Sequence, residues 1–163
     1  MLSSPGAWRK PLSQTIQLRK YDSDDLEAMF RLDEACFEEP FRFTQTAMRR
    51  FAESRKARVV IAESDGTLAG FAILHVEGHV GYVVTLDVAE AFRRSGVARQ
   101  LMQALENEAV QAGCAVVGLH VFVGNDSAIR FYERNGYARA GVVSAFYGAG
   151  LDAWMYGKKL MQG

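Results

Sequence analysis

"FRRSGVARQLM", residues 92–102, sets two arginines and a serine ahead of a single glycine and then runs into apolar residues at helical spacing. A strand turning directly into a helix leaves backbone N–H groups without intrahelical partners. The macrodipole adds about half a positive charge at that end. Gly96 leaves the backbone open to a close ligand, Ala98 keeps the next turn narrow, and Arg93 and Arg94 supply full charges. The stretch predicts an anion site that suits a pyrophosphate. It carries neither the GxGxxG of a dinucleotide fold nor the GK[ST] of a P-loop.

Upstream, "VGYVVTLDV" (80–88) reads as the strand that feeds this motif. Before it, "RVVIAES" and "LAGFAILHV" flank the turn sequence "SDG", a hairpin signature. Earlier still, "TIQLRKY" (15–21) is a short β-type run. "DSDDLEAMFRLDEACF" (22–37) is a capped helix with apolar Leu26, Met29, Phe30, Leu32 and Cys36, and a second helical stretch covers about 44–54. Downstream, the motif helix extends to about Gln111 and stops at Gly113. "CAVVGLHVFV" (114–123) is a buried-type strand, and "NDSAIRFYERNG" (125–136) is a capped helix ended by Gly136. "YARAGVV" and "AWMYGKKL" are closing strands. The order βααβββαβαββ gives about seven strands and four helices in an α/β (α+β) architecture. One domain over 15–163 follows a flexible arm, 1–14.

A chain of 163 residues, 49% hydrophobic and 23% charged, can bury a real core in a single domain. Nineteen basic residues balance nineteen acidic ones, so no summed field gathers nucleic acid or an anionic membrane. Cys36 and Cys114 lack CxxC or metal spacing, which predicts free thiols in a reducing, cytoplasmic setting and no metal site. No apolar run approaches the roughly 18 residues of a membrane span.

"LDVAEAFRRSGVARQLM" followed downstream by "VFVGNDSAIRFYERNGY" resembles the GNAT acyltransferase superfamily. That family pairs an [RQ]-x-x-G-x-[GA] loop with an N-x-x-A-x-x-[FL]-Y-x-x-x-G-[FY] helix, matched here by Asn125, Ala128, Phe131, Tyr132, Gly136 and Tyr137. The resemblance covers roughly 15–160. It implies the GNAT fold, a mixed and mostly antiparallel sheet flanked by helices, with acetyl-CoA as co-substrate. It implies that Leu86, Asp87 and Val88 line the pantetheine arm, the first and last through backbone groups. Arg93, Arg94, Ser95, Gly96, Val97, Ala98 and Arg99 would cradle the pyrophosphate, and Asn125 would hold the arm from the far side. Two positions depart from the pattern: Glu90, where proline is frequent, and Asp87, where a small apolar residue is usual.

Moving an acetyl group from a thioester to an amine requires a neutral amine, a held oxyanion and a protonated leaving thiolate. A CoA-like thiol has a pKa of about 8.5 and a tyrosine about 10, so a positioned Tyr can supply the proton as charge develops on sulfur. The resemblance assigns that acid to Tyr132, and the backbone N–H of Val88 is the candidate oxyanion donor. Five residues before the motif asparagine, ribosomal-protein acetyltransferases of this family carry a glutamate base; "LHVFVGN" has His120 there. The pattern resembles the Met-type N-terminal acetyltransferases, in which such a histidine acts with a tyrosine on the preceding strand, here Tyr82. "CFEEPFRF" and "FYGAGLDAWMYGKKL" resemble the acceptor-side loop and closing hairpin of those enzymes. Phe37, Pro40 and Phe41 would then line an apolar slot, and Tyr147 would bond the peptide backbone. His75 and His79 have no such support and are expected to be structural or exposed.

The leading expectation is acetylation of a protein or peptide N-terminus by direct transfer, in a monomer or homodimer. Two alternatives remain open at this stage. A small-amine acetyltransferase would need an acidic acceptor pocket, for which Asp87, Glu77 and Asp152 are available, and an acetyl-CoA sensor would need no acceptor.

Overall fold

A computed structural model describes residues 15–161, so the predicted arm, 1–14, lies outside the described residues. Seven strands, β1 (Gln17–Lys20), β2 (Ala57–Ser64), β3 (Thr67–Glu77), β4 (Val80–Val88), β5 (Val116–Phe122), β6 (Ala138–Val143) and β7 (Ala153–Lys159), form one sheet. Four α-helices accompany them: α1 (Leu26–Cys36), α2 (Gln45–Ala52), α3 (Val97–Gln111) and α4 (Asp126–Arg134). The element order is the expected one. The sheet runs β1-β2-β3-β4-β5-β7-β6, antiparallel everywhere except at β4 and β5.

Helices cover both faces of the central strands, which is why "AGFAIL" in β3 is apolar without alternation and buried throughout. Val60, Ala62, Ala72 and Leu74 pack with Val97, Leu101, Met102, Leu105 and Ala109 of α3. Ile61, Phe71 and Ile73 pack on the other face with Leu26 and Met29 of α1 and Met48 and Ala52 of α2. The β2–β3 turn has positive φ at both Asp65 and Gly66, the geometry that Asp-Gly favours in a two-residue hairpin loop. Gly70 is required by proximity, since a Cβ there would lie 2.6 Å from the carbonyl oxygen of Asp87.

Strand β4 does not turn directly into α3, in contrast to the sequence expectation. A short 3₁₀ turn, Glu90–Phe92, intervenes, and the helix begins only after Gly96. Phe92, the last residue of that turn, is 7% exposed and joins the core under α3, so the turn carries the chain inward before the helix starts. Cys36 and Cys114 do not bridge to each other.

Candidate active site

The parallel pairing of β4 with β5 ends at Tyr82 and Gly118, although β4 continues to Val88 and β5 to Phe122. Beyond that point the two strands diverge. The phase of the β3–β4 ladder decides what β4 offers to the gap. Ala89 N–H donates to Ala69 O at 2.8 Å, so Val88 facing Gly70 and Leu86 facing Ala72 are the pairs that do not bond across the ladder. The backbone groups of Leu86 and Val88 therefore point away from β3, toward the side that β5 has left.

At the far end of the gap, α3 starts with Gly96 at its N-cap, in the left-handed region at φ 86°, with no side chain capping the first turn. Its leading N–H groups are thus free of a protein cap. An added Cβ on Gly96 would meet no protein atom within 4 Å, so within the chain it is the positive φ that demands glycine. Arg94 also has positive φ, at 63°, and it is exposed together with Ser95 and Arg99. Val97 is buried, so only its backbone can meet a ligand. Arg93 folds back instead, donating Nε–H to Val88 O at 3.1 Å and reaching Cys36 Sγ at 3.5 Å. Ser95 Oγ donates to Phe92 O.

Tyr82 and His120 meet where the strands part: Oη and Nδ1 are 2.7 Å apart. Phe146 stacks on the imidazole with centroids 4.1 Å apart and 13° between planes. Burial lowers the His120 pKa below its ordinary value, which keeps the ring neutral at pH 7, and pushes the Tyr82 phenol up to about 12. Tyr132 is buried on α4, and its phenol is raised well above the ordinary range. Burial dominates that shift. Asn125 caps α4, its Oδ1 accepting Ala128 N–H at 3.1 Å, which leaves its amide NH₂ unused by the cap.

On the adjoining side, Phe41, Phe122 and Tyr147 cluster, with Phe41 5.0 Å from each of the other two rings. Phe37 ends α1, Pro40 is exposed beside this cluster in sequence, and burial raises Tyr147 to about 12. Phe122 and Phe146 were not among the residues expected at the site. Phe122 was legible in principle, since it stands two residues after His120 and so shares its face of β5. Phe146 reaches His120 only through the β6–β7 loop.

The remaining acidic and imidazole candidates are engaged with protein groups or buried. Glu77 pairs with Lys56 at 2.7 Å, and Asp152 accepts Ala145 N–H at 2.8 Å. Asp87 turns its carboxyl under α1, where it is 1% exposed. His75 Nε2 bonds Phe51 O and His79 Nδ1 bonds Gly113 O, both structural contacts.

The model of the acetyltransferase (GNAT) family matches residues 26–137. An uncharacterized N-acetyltransferase of Methanocaldococcus jannaschii is 29% identical over 143 residues, 87% of this chain and 90% of the relative. The ribosomal-protein-S18-alanine N-acetyltransferase of Escherichia coli shares the fold, with a TM-score of 0.81 and 22% identity over 91% of this chain and 97% of that one. NAA60 of Arabidopsis thaliana, solved with a bisubstrate analogue and with acetyl-CoA, superposes with a TM-score of 0.80 for the former complex. Its identity there is 23%, over 91% of this chain and all of that one. With a family model spanning most of its length and a sheet that opens beside a glycine-led helix, this chain belongs to the GNAT family of acetyl-CoA-dependent N-acetyltransferases.

Proposed function

We propose that the chain moves an acetyl group from acetyl-CoA to the α-amine of a protein or peptide N-terminus, directly and within a ternary complex. The observation that carries this reading is the Tyr82–His120 hydrogen bond of 2.7 Å at the mouth of the strand gap, next to the aromatic cluster of Phe41, Phe122 and Tyr147.

The outward backbone groups of Leu86 and Val88 suit the amide-bearing pantetheine arm, with the Asn125 amide opposite them. The uncapped first turn of α3, with Arg94, Ser95 and Arg99 around it, suits the pyrophosphate. Arg93, held on Val88 O, acts there by its charge and by fixing the end of β4. With Nδ1–H donated to Tyr82 Oη, the His120 Nε2 lone pair takes the proton of the incoming ammonium through a water. An imidazole whose pKa is lowered by burial is neutral and available for this at pH 7. Val88 N–H faces the negative charge that develops on the acetyl oxygen. Tyr132, buried and protonated, hands its proton to the departing sulfur and takes back the second proton of the acetylated nitrogen as the intermediate collapses to the amide.

Phe37, Pro40, Phe41 and Phe122 line the slot for the first residue of the acceptor, and the Tyr147 hydroxyl bonds its backbone. An apolar, aromatic slot favours a long unbranched side chain such as Met. A polycationic small amine would need unpaired carboxylates at the acceptor side. Glu77 and Asp152 are engaged with Lys56 and Ala145, and Asp87 is buried, which supports the peptide reading. Turnover measured across Met-, Ala- and Ser-leading peptides, polyamines and aminoglycosides tests the proposal. The highest kcat/KM should fall on a Met-leading peptide, and a polyamine or aminoglycoside preferred over every peptide would overturn it.

A further inference from the structure

Two carboxyls at the acyl end of this site are unused by the chemistry above and are withdrawn from water: Asp33 on α1 and Asp87 on β4, 0% and 1% exposed. Their four oxygens can be accounted for one by one. Asp33 Oδ2 accepts Phe43 N–H at 2.7 Å, and Asp87 Oδ1 accepts the Thr85 hydroxyl. Among the described residues, Asp33 Oδ1 and Asp87 Oδ2 are the buried side-chain oxygens left without another partner. The two carboxyls are near enough for each to shift the other. Two buried anions side by side would leave both of these oxygens unpaired and repelling, and one proton shared between the side chains relieves both costs.

Burial, together with the neighbouring Asp33, raises Asp87 well above the ordinary carboxylate range. Asp33 is raised by burial, while its nearness to Asp87 and the bond it accepts from Phe43 pull it back down. Both carboxyls are raised, so the pair keeps its proton above the ordinary carboxylate range. Both ends of the loop at 37–43, which carries Phe37, Pro40 and Phe41, hang on Asp33: Phe37 N–H on its carbonyl at 3.0 Å and Phe43 N–H on its carboxyl. Asp33 in turn is tied to the strand whose next residue is Val88.

We propose that Asp33 and Asp87 are a positioning pair for acetyl transfer, in which one shared proton fastens the acceptor-side loop to the cofactor-side strand. This rests on the acceptor slot assigned above. No bond to substrate is involved, and the proton is not transferred in turnover. The tie is present while the proton is held, and it is lost as rising pH removes that proton and leaves two buried anions side by side. The groups that face the pair are Thr85 on β4, Glu34 and Cys36 on α1, Arg42 in the loop and Tyr132 on α4. Arg93 stands behind Cys36 and Val88.

The test is in two parts on the full chain. With ¹³C-carboxyl aspartate, one side chain should titrate as a protonated acid through pH 7 without any acceptor present. That signal should vanish in Asp33→Asn, whose amide N–H takes the place of the shared proton. Aspartates that are all ionised at pH 7 would overturn the shared proton. In kinetics, Asp33→Ala should raise the KM for a Met-leading peptide by at least about tenfold while the KM for acetyl-CoA stays within about threefold. Asp33→Asn should restore the peptide KM and flatten the alkaline loss of activity. An Asn variant as impaired as Ala, or an equal rise in both KM values, would overturn the positioning role. If the Ala variant does not fold, the Asn variant and the carboxyl signal decide. The carboxyl signal needs no acceptor, so a failed peptide reading and a failed proton pair are separate results.

Discussion

The Phe146 ring lies on the His120 imidazole, 4.1 Å between centroids and 13° from parallel, and shields the face of a ring whose edge is bonded to Tyr82. Burial is what lowers the His120 pKa, so the shield and the basicity are linked. On the proposed mechanism the working form is the neutral ring. The His120 contribution to the acidic limb of kcat/KM should therefore fall below the ordinary histidine value of about 6.5. Phe146→Ala should hydrate the ring and move that limb to higher pH, read from rate profiles on one peptide. An unmoved limb would separate the titration from His120.

Tyr132 is buried on α4, and that burial holds its phenol protonated. Tyr132→Phe keeps the ring in the core and removes only the hydroxyl. We expect kcat to fall about 10²- to 10⁴-fold, the usual worth of a general acid, with acetyl-CoA affinity by calorimetry nearly unchanged. A loss under about tenfold would remove Tyr132 from the chemistry.

Gly96 combines a φ of 86° with the uncapped start of α3. Gly96→Val forces a β-branched residue into the left-handed region and puts a side chain where the pyrophosphate would approach. The rise in melting temperature on adding acetyl-CoA should be lost in this variant and kept in Gln103→Val on the exposed face of the same helix. Equal shifts in the two variants would place the cofactor elsewhere.

The element order was legible because each signal was local. Asp-Gly between two β-rich runs marks the hairpin, Asn125 three residues before Ala128 marks a cap, and Gly113 and Gly136 with positive φ close two helices. Of the expected site, Tyr82 and His120 do meet, and the backbone of Leu86 and Val88 does face the gap. What stayed hidden depends on contacts between distant segments. Phe92 ends a 3₁₀ turn and joins the core under α3. Arg93 turns away from the helix start because Val88 O and Cys36 Sγ lie within its reach. Asp33 sits one turn after Met29 on the buried face of α1, an acid on an apolar stripe, and only the fold supplies the Asp87 that explains it.

The central claim is that Tyr82 and His120 act as one unit in deprotonating a peptide N-terminus, and a double-mutant cycle on a Met-leading peptide tests it most directly. Tyr82→Phe, His120→Ala and the double variant would be compared in kcat/KM, with acetylation read at the α-amine by mass spectrometry. Each single change should lower the rate by at least about tenfold, and the double variant should lose less than the product of the two losses, as groups sharing one function do. Wild-type rates in both single variants, or losses that multiply, would contradict the account.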